Sequence, residues 1–151
     1  MSTSFKLSVV LATHNEDRMI VGCLKSVYDI ADEIIMVDGE SEDSTVEFAK
    51  KHDLHKKLRV ISTPNLKNFH IMKQQAIDAA RGTWILQMDA DERLSEALKS
   101  EVVKTIQNPE SADGYWMPRL NFFLNKPLRK GGQYPDKTLR LYRNGKGRLP
   151  C

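Results

Sequence analysis

The sequence predicts an α/β fold, a mainly parallel sheet covered by helices on both faces, with an irregular and partly β C-terminal segment. Three observations predict it. Short β-branched runs alternate with stretches of helical periodicity over residues 6–107. Each of the first runs ends at a polar cluster and is followed by a helical stretch, as parallel strands joined by crossovers require. The alternation then stops at Pro109, and extended patterns take over.

Lys6–Ala12 (KLSVVLA) opens as a buried strand. Asp17–Tyr28 follows as a helix with Ile20, Cys23, Leu24 and Val27 on one face. Glu33–Asp38 (EIIMVD) is the second strand. Ser44 with Glu47 fits a capping box for a helix over Thr45–His52, and Leu58–Ser62 (LRVIS) is the third strand. Met72–Ala80 reads as a helix stopped by Gly82, and Trp84–Met88 as the fourth strand. Leu94, Leu98, Val102 and Ile106 recur at helical spacing, which places a packing helix over Ser95–Gln107. Beyond it, Gly114–Leu124 and Thr138–Arg143, the latter ending at the turn Asn144-Gly145, read as extended segments.

With 151 residues, 40% of them hydrophobic and 28% charged, the chain can bury one domain core and is not disordered in character. Its longest early apolar run, Leu7–Ala12, is too short to span a bilayer and lacks signal-peptide flanks, so a cytoplasmic location is expected. Cys23 and Cys151 make neither a disulfide framework nor a zinc site, and His14, His52, His55 and His70 lack ligand spacing. The net charge of +3 is unevenly spread: from Arg119 onward nine Lys or Arg face one acid, Asp136. That segment points to an anionic partner, and a peripheral seat at the inner face of the membrane is compatible with it. The chain ends at Arg148-Leu149-Pro150-Cys151 without a closing helix, which predicts a longer natural protein.

In parallel sheets ligands bind beyond the carboxyl ends of the strands. Three polar clusters should therefore share one edge: Thr13–Glu16, Asp38–Asp43 and Asp89–Glu92. Asp89 and Asp91, one residue apart at a strand exit, repel unless a cation joins them. Mg²⁺ or Mn²⁺ suits oxygen ligands and is usually shared with substrate phosphates, so a phosphate-bearing ligand follows. The local alternative is that these acids cap the next helix. Asp38 can accept hydrogen bonds from a base or ribose, and Gly39 would let the chain turn closely past a ligand. Thr13 and Asn15 are equally readable as turn or cap residues.

Taken together, the residues resemble the family 2 glycosyltransferases, whose fold is the Rossmann-like GT-A fold. The likeness rests on Thr13-His14-Asn15-Glu16 as a T-x-N-E-like turn, on Val37-Asp38-Gly39-Glu40-Ser41-Glu42-Asp43-Ser44-Thr45, and on the block from Ala80 through Gly82, Trp84 and Leu86 to Asp89-Ala90-Asp91-Glu92. The basic stretch from Gly131 to Leu149 is similar to that of bacterial members acting on the lipopolysaccharide core and other envelope glycans. The resemblance implies one GT-A domain over 1–151, with a nucleotide-sugar-binding half over 1–110 and the start of an acceptor-side region over 111–151. It also implies inverting, metal-dependent sugar transfer from a nucleotide sugar, a UDP-sugar by preference, to a saccharide or lipid-linked acceptor, without nucleic acid.

On the same grounds Asp38 contacts the nucleoside, Asp89 lies near the ribose and Asp91 holds Mn²⁺ or Mg²⁺; Thr13, Asn15 and Glu16 join the donor side. Lys73, a further donor-side residue by the same resemblance, sits where similar proteins carry Lys or Arg before Asn, whereas here Gln74 follows. Asp136, the one acid after Asp113, is the candidate catalytic base or an acceptor contact, and a turn residue or surface ion pair otherwise. Glu92 receives no role.

Other readings remain open. A non-catalytic nucleotide-sugar-binding module would keep the donor half alone. A haloacid-dehalogenase-type phosphohydrolase also uses D-x-D with Mg²⁺, but on its first strand, whereas this pair follows the fourth. Nucleic-acid binding by the basic segment is the weakest, because Tyr115, Trp116, Phe122 and Phe123 have strand-like core spacing.

Overall fold

The computed structural model describes residues 6–64, 69–119, 122–123, 126–127 and 136–145. Four parallel strands, β1 (Leu7–Thr13), β2 (Glu33–Asp38), β3 (Leu58–Ser62) and β4 (Trp84–Gln87), alternate with α1 (Ile20–Val27), α2 (Thr45–Lys51) and α3 (Phe69–Ala79). After β4 come α4 (Glu96–Gln107), β5 (Gly114–Arg119), β6 (Phe122–Phe123), β7 (Lys126–Pro127) and β8 (Asp136–Arg143). The main sheet has the order β3-β2-β1-β4-β8-β5, with β8 antiparallel to both its neighbours, and β6 pairs with β7 separately. This is the predicted mainly parallel α/β sheet with a β C-terminal segment.

Side chains alternate across each strand, so the sheet has two apolar faces. Leu7, Val9, Leu11, Ile34, Met36, Trp84, Leu86 and Leu141 meet Ile20, Cys23, Leu24 and Val27 of α1, Ala49 of α2 and Val102 of α4. Val10, Ala12, Ile35, Val37, Ile85 and Tyr142 meet Met72, Ala76 and Ile77 of α3. Each fully buried aliphatic chain contributes roughly 1.5–3 kcal/mol. The helical face predicted for α1 is the one observed, and Leu94, Leu98 and Ile106 pack around α4 as their spacing required.

Two local readings are corrected. The Ser44 hydroxyl makes no cap hydrogen bond, so the capping box does not form; Ser44 has φ −89° and ψ 17° rather than an extended backbone. Asp43 takes over, its Oδ1 accepting the Thr45 amide at 3.0 Å and the Thr45 hydroxyl. Gly82 is not a left-handed helix terminator either, because Gly145 alone among the described glycines has positive φ. Gly82 is needed for closeness: its amide donates to Ser8 Oγ at 2.8 Å, and a Cβ there would lie 2.5 Å from that oxygen and 2.8 Å from the Ser8 nitrogen.

The same Ser8 anchors the amino edge of the sheet. Its hydroxyl donates to Glu33 Oε1 at 2.7 Å, while the Arg81 amide donates to Oε1 at 2.5 Å and the guanidinium to Oε2 at 3.1–3.2 Å. Burial raises the Glu33 carboxyl pKa, but the Arg81 amide, the Ser8 hydroxyl and the Arg81 charge outweigh it and hold the group below its ordinary value. Part of the sequence block ending in Asp89–Glu92 thus secures the fold at the edge opposite the polar clusters.

Candidate donor site

β2 and β3 lie on one side of β1 and β4 on the other, so the strand order reverses between β1 and β4. Such a switch point opens a crevice at the carboxyl edge. The three predicted clusters all reach that edge.

The first two clusters are laced together. Gly39 donates its amide to the Thr13 carbonyl at 2.9 Å, and the Thr13 hydroxyl donates to Asp38 Oδ1 at 2.7 Å. The Ser41 hydroxyl reaches the same oxygen at 2.6 Å and its amide reaches Oδ2 at 2.9 Å. Asp38, 3% exposed, therefore spends much of its acceptor capacity closing its own loop. Asn15 receives the Glu42 amide on Oδ1 at 2.8 Å and gives its own amide to Ser41 Oγ at 2.9 Å. His14 Nδ1 lies 2.6 Å from the Gly39 carbonyl and Nε2 lies 3.3 Å from Asn15 Nδ2, a pair of contacts that the Nδ1-protonated ring satisfies. Glu16 and Asp17 give their amides to Thr45 Oγ1 and Asp43 Oδ2, at 2.8 and 3.1 Å.

Asn15 and Glu40 both adopt φ of 52°. The left-handed residue of the second loop is thus Glu40 and not Gly39, a conformation that costs roughly 1–2 kcal/mol without the glycine exemption. The cross-loop hydrogen bonds hold it there.

The third cluster separates its carboxylates. Asp89 is clamped between the Lys73 ammonium on α3 and the Arg140 guanidinium on β8, the latter 3.2 Å from Oδ2. Burial alone raises its pKa, and the Lys73 and Arg140 partners reverse the shift and hold it below the ordinary carboxylate value. Asp91 is exposed and accepts no hydrogen bond among the described residues. Its charge is felt by Glu16, whose pKa is raised first by burial and then by Asp91, Asp43 and Asp89. The acidic turn does not cap α4; Ser95 does, accepting the Leu98 amide at 3.2 Å.

Glu92 and Arg140 are the residues that sequence reasoning missed. Glu92 Oε1 accepts the Asp89 amide at 2.7 Å, the Glu92 amide returns to the Asp89 carbonyl at 2.9 Å, and Oε2 meets Arg140 at 3.0 Å. A glutamate three residues after a strand-end aspartate was a visible signal for the turn. No local signal pointed from Arg140 to residues some fifty positions earlier. Beneath the turn, buried Cys23 directs its Sγ to the Asp89 carbonyl at 3.4 Å, and burial pushes that thiol up to about 12, so it is inert.

The structure thus brings Thr13, Asn15, Glu16, Asp38, Lys73, Asp89 and Asp91 to one edge. Asp136 starts β8 opposite Arg119, four residues before Arg140, and its side chain lies outside the described residues. No group of three or more His, Cys, Asp or Glu among the described residues forms a closed metal cage. Asp91, exposed and unpaired among the described residues, fits the other mode, in which one protein carboxylate, water and substrate phosphates share Mg²⁺ or Mn²⁺.

Comparisons with known proteins agree with this arrangement. An uncharacterized glycosyltransferase of Rickettsia typhi is 38% identical over 139 residues, covering 91% of this chain and 46% of its own length. The lipopolysaccharide core biosynthesis glycosyltransferase LpsC of Rhizobium meliloti is 27% identical, covering 98% of this chain and 54% of its own. Among solved structures, S. aureus TarS 1-349 in complex with UDP has a TM-score of 0.65 at 21% identity, covering 92% of this chain and 47% of that one. The mannosyltransferase PcManGT of Pyrobaculum calidifontis, in complex with GDP-Man and Mn²⁺, has a TM-score of 0.63 at 20% identity, covering 78% and 37%. Both structural likenesses speak to the fold. The chain spans about a third to a half of the length of curated relatives that it matches. The model of the glycosyl transferase family 2 matches residues 8–150, a span that contains all three laced and acidic clusters, and this chain belongs to that family.

Proposed function

We propose that this chain is the donor-binding part of a metal-dependent, inverting glycosyltransferase that moves a sugar from a nucleotide sugar to a saccharide or lipid-linked acceptor in cell-envelope glycan synthesis. The observation that carries the reading is the division between two carboxylates at the switch point. Asp89 is neutralised by Lys73 and Arg140, whereas Asp91 is exposed and makes no ion pair among the described residues. Membership of the family, and the GDP-Man and Mn²⁺ held by PcManGT, support a sugar nucleotide and a divalent cation here. The name of LpsC and the basic segment after Arg119 support an anionic envelope acceptor, with peripheral seating on the inner membrane face.

In this reading Asp91 would hold Mn²⁺ or Mg²⁺, which when bound offsets the charge gathering on the departing diphosphate. Asp38, fixed by Thr13 and Ser41, turns its remaining acceptor capacity toward the nucleoside, and Asn15 and Glu16 shape the wall beside it. Lys73 orients Asp89 toward the ribose. Asp136 is the proposed base, because the β8 backbone carries it beyond the end of β4. A donor-binding module without transfer activity is the second reading.

Calorimetric titration of UDP with and without Mn²⁺, for wild type and Asp91→Ala, tests the donor reading. Mn²⁺ should tighten UDP at least about tenfold in wild type and leave Asp91→Ala unchanged. A wild type indifferent to the metal would sink it. GDP in parallel decides the base, and a transfer assay with labelled donor separates enzyme from module.

A further inference from the structure

The third cluster depends on a residue outside the parallel part of the sheet. Arg140 sits on β8, next to β4, on the sheet face that Tyr142 shares with α3. Its side chain is 10% exposed and its guanidinium bridges Asp89 Oδ2 and Glu92 Oε2 at 3.2 and 3.0 Å. Those two residues already form a closed turn, each giving its amide to the other's oxygen, with Asp91 between them. Without a cation the turn would pack two facing carboxylates together. With Arg140 in place, they are drawn to one point and Asp91 is left outward.

We propose that Arg140 is a positioning residue of the donor site, locking the Asp89–Glu92 turn in the shape that presents Asp91 to a nucleotide-bound divalent cation. This rests on the donor reading given above, and it extends the donor site into the antiparallel C-terminal segment. Residues 1–110 alone would then carry the nucleotide loops and lack the lock.

Two readouts on the full chain test it. Arg140→Met should speed hydrogen exchange at the Asp89 and Glu92 amides about tenfold, with the amides of β1 and β2 unchanged. It should also weaken the Mn²⁺-dependent part of UDP binding by about 10–100-fold, the range seen when a residue supporting a metal ligand is lost, while metal-free UDP binding stays the same. Arg140→Lys should recover part of both effects. Glu92→Gln, which keeps an oxygen for the Asp89 amide and removes the charge facing Arg140, should reproduce the binding loss and serves if Arg140→Met does not fold. Unchanged exchange in Arg140→Met overturns the lock, as does faster exchange with intact Mn²⁺-dependent binding. A wild type whose UDP binding ignores Mn²⁺ overturns the donor reading and the functional half of the proposal, while exchange still decides the mechanical half.

Discussion

Lys73 on α3 and Asp89 after β4 form an ion pair across the crevice, with 14% and 29% of their side chains exposed. The pair joins a helix on one sheet face to the strand end that carries the acidic turn. Lys73→Met leaves Asp89 with Arg140 and removes its stronger partner. Stability at neutral pH should fall by about 1–3 kcal/mol in urea unfolding, the usual cost of stripping a partner from a part-buried charge. The Asp89 carboxyl should move upward toward its ordinary value, as carboxylate NMR would read.

The two acids of the turn should separate in mutants. Asp91→Asn, at an exposed side chain, should change stability by less than about 0.5 kcal/mol. It should nevertheless abolish Mn²⁺-dependent tightening of UDP. Asp89→Asn should cost about 1–3 kcal/mol because Lys73 and Arg140 lose their anion. Equal stability losses in the two variants would contradict the division of roles.

Gly82→Ala places a methyl group 2.5 Å from Ser8 Oγ and 2.8 Å from the Ser8 backbone nitrogen. A side chain can yield, but strand backbone cannot, so destabilisation of about 2–4 kcal/mol is expected from thermal or urea unfolding. Adding Ser8→Ala should not restore the loss, because the backbone contact persists.

Acid sensitivity should trace in part to Glu33. Its folded pKa lies below the ordinary 4.5, so its contribution is complete above that value and is lost as pH falls through the folded pKa. Glu33→Gln should be less stable than wild type at pH 7, with the difference narrowing below about pH 4. A gap constant from pH 7 to pH 3 would rule out this linkage.

The alternation of β-branched runs and helical faces sufficed to give the element order, because periods of 2 and 3.6 are local properties. Strand exits were legible for the same reason, and with them the gathering of Thr13–Glu16, Asp38–Asp43 and Asp89–Glu92 on one edge. Turn chemistry was less so: Asp43 displaced Ser44 as the cap, and Glu40 took the left-handed turn, since bonds joining Asp17 to Asp43, Asn15 to Glu42 and Glu16 to Thr45 cross between loops.

By itself, the sequence determined the α/β class, the faces of its helices and the residues that end its strands. Only the tertiary structure decided that Asp89 is clamped by two cations while Asp91 stands exposed. A carboxylate's charge state and reach depend on what approaches through space, and Lys73 and Arg140 arrive from a helix and an antiparallel strand whose placement no local period encodes.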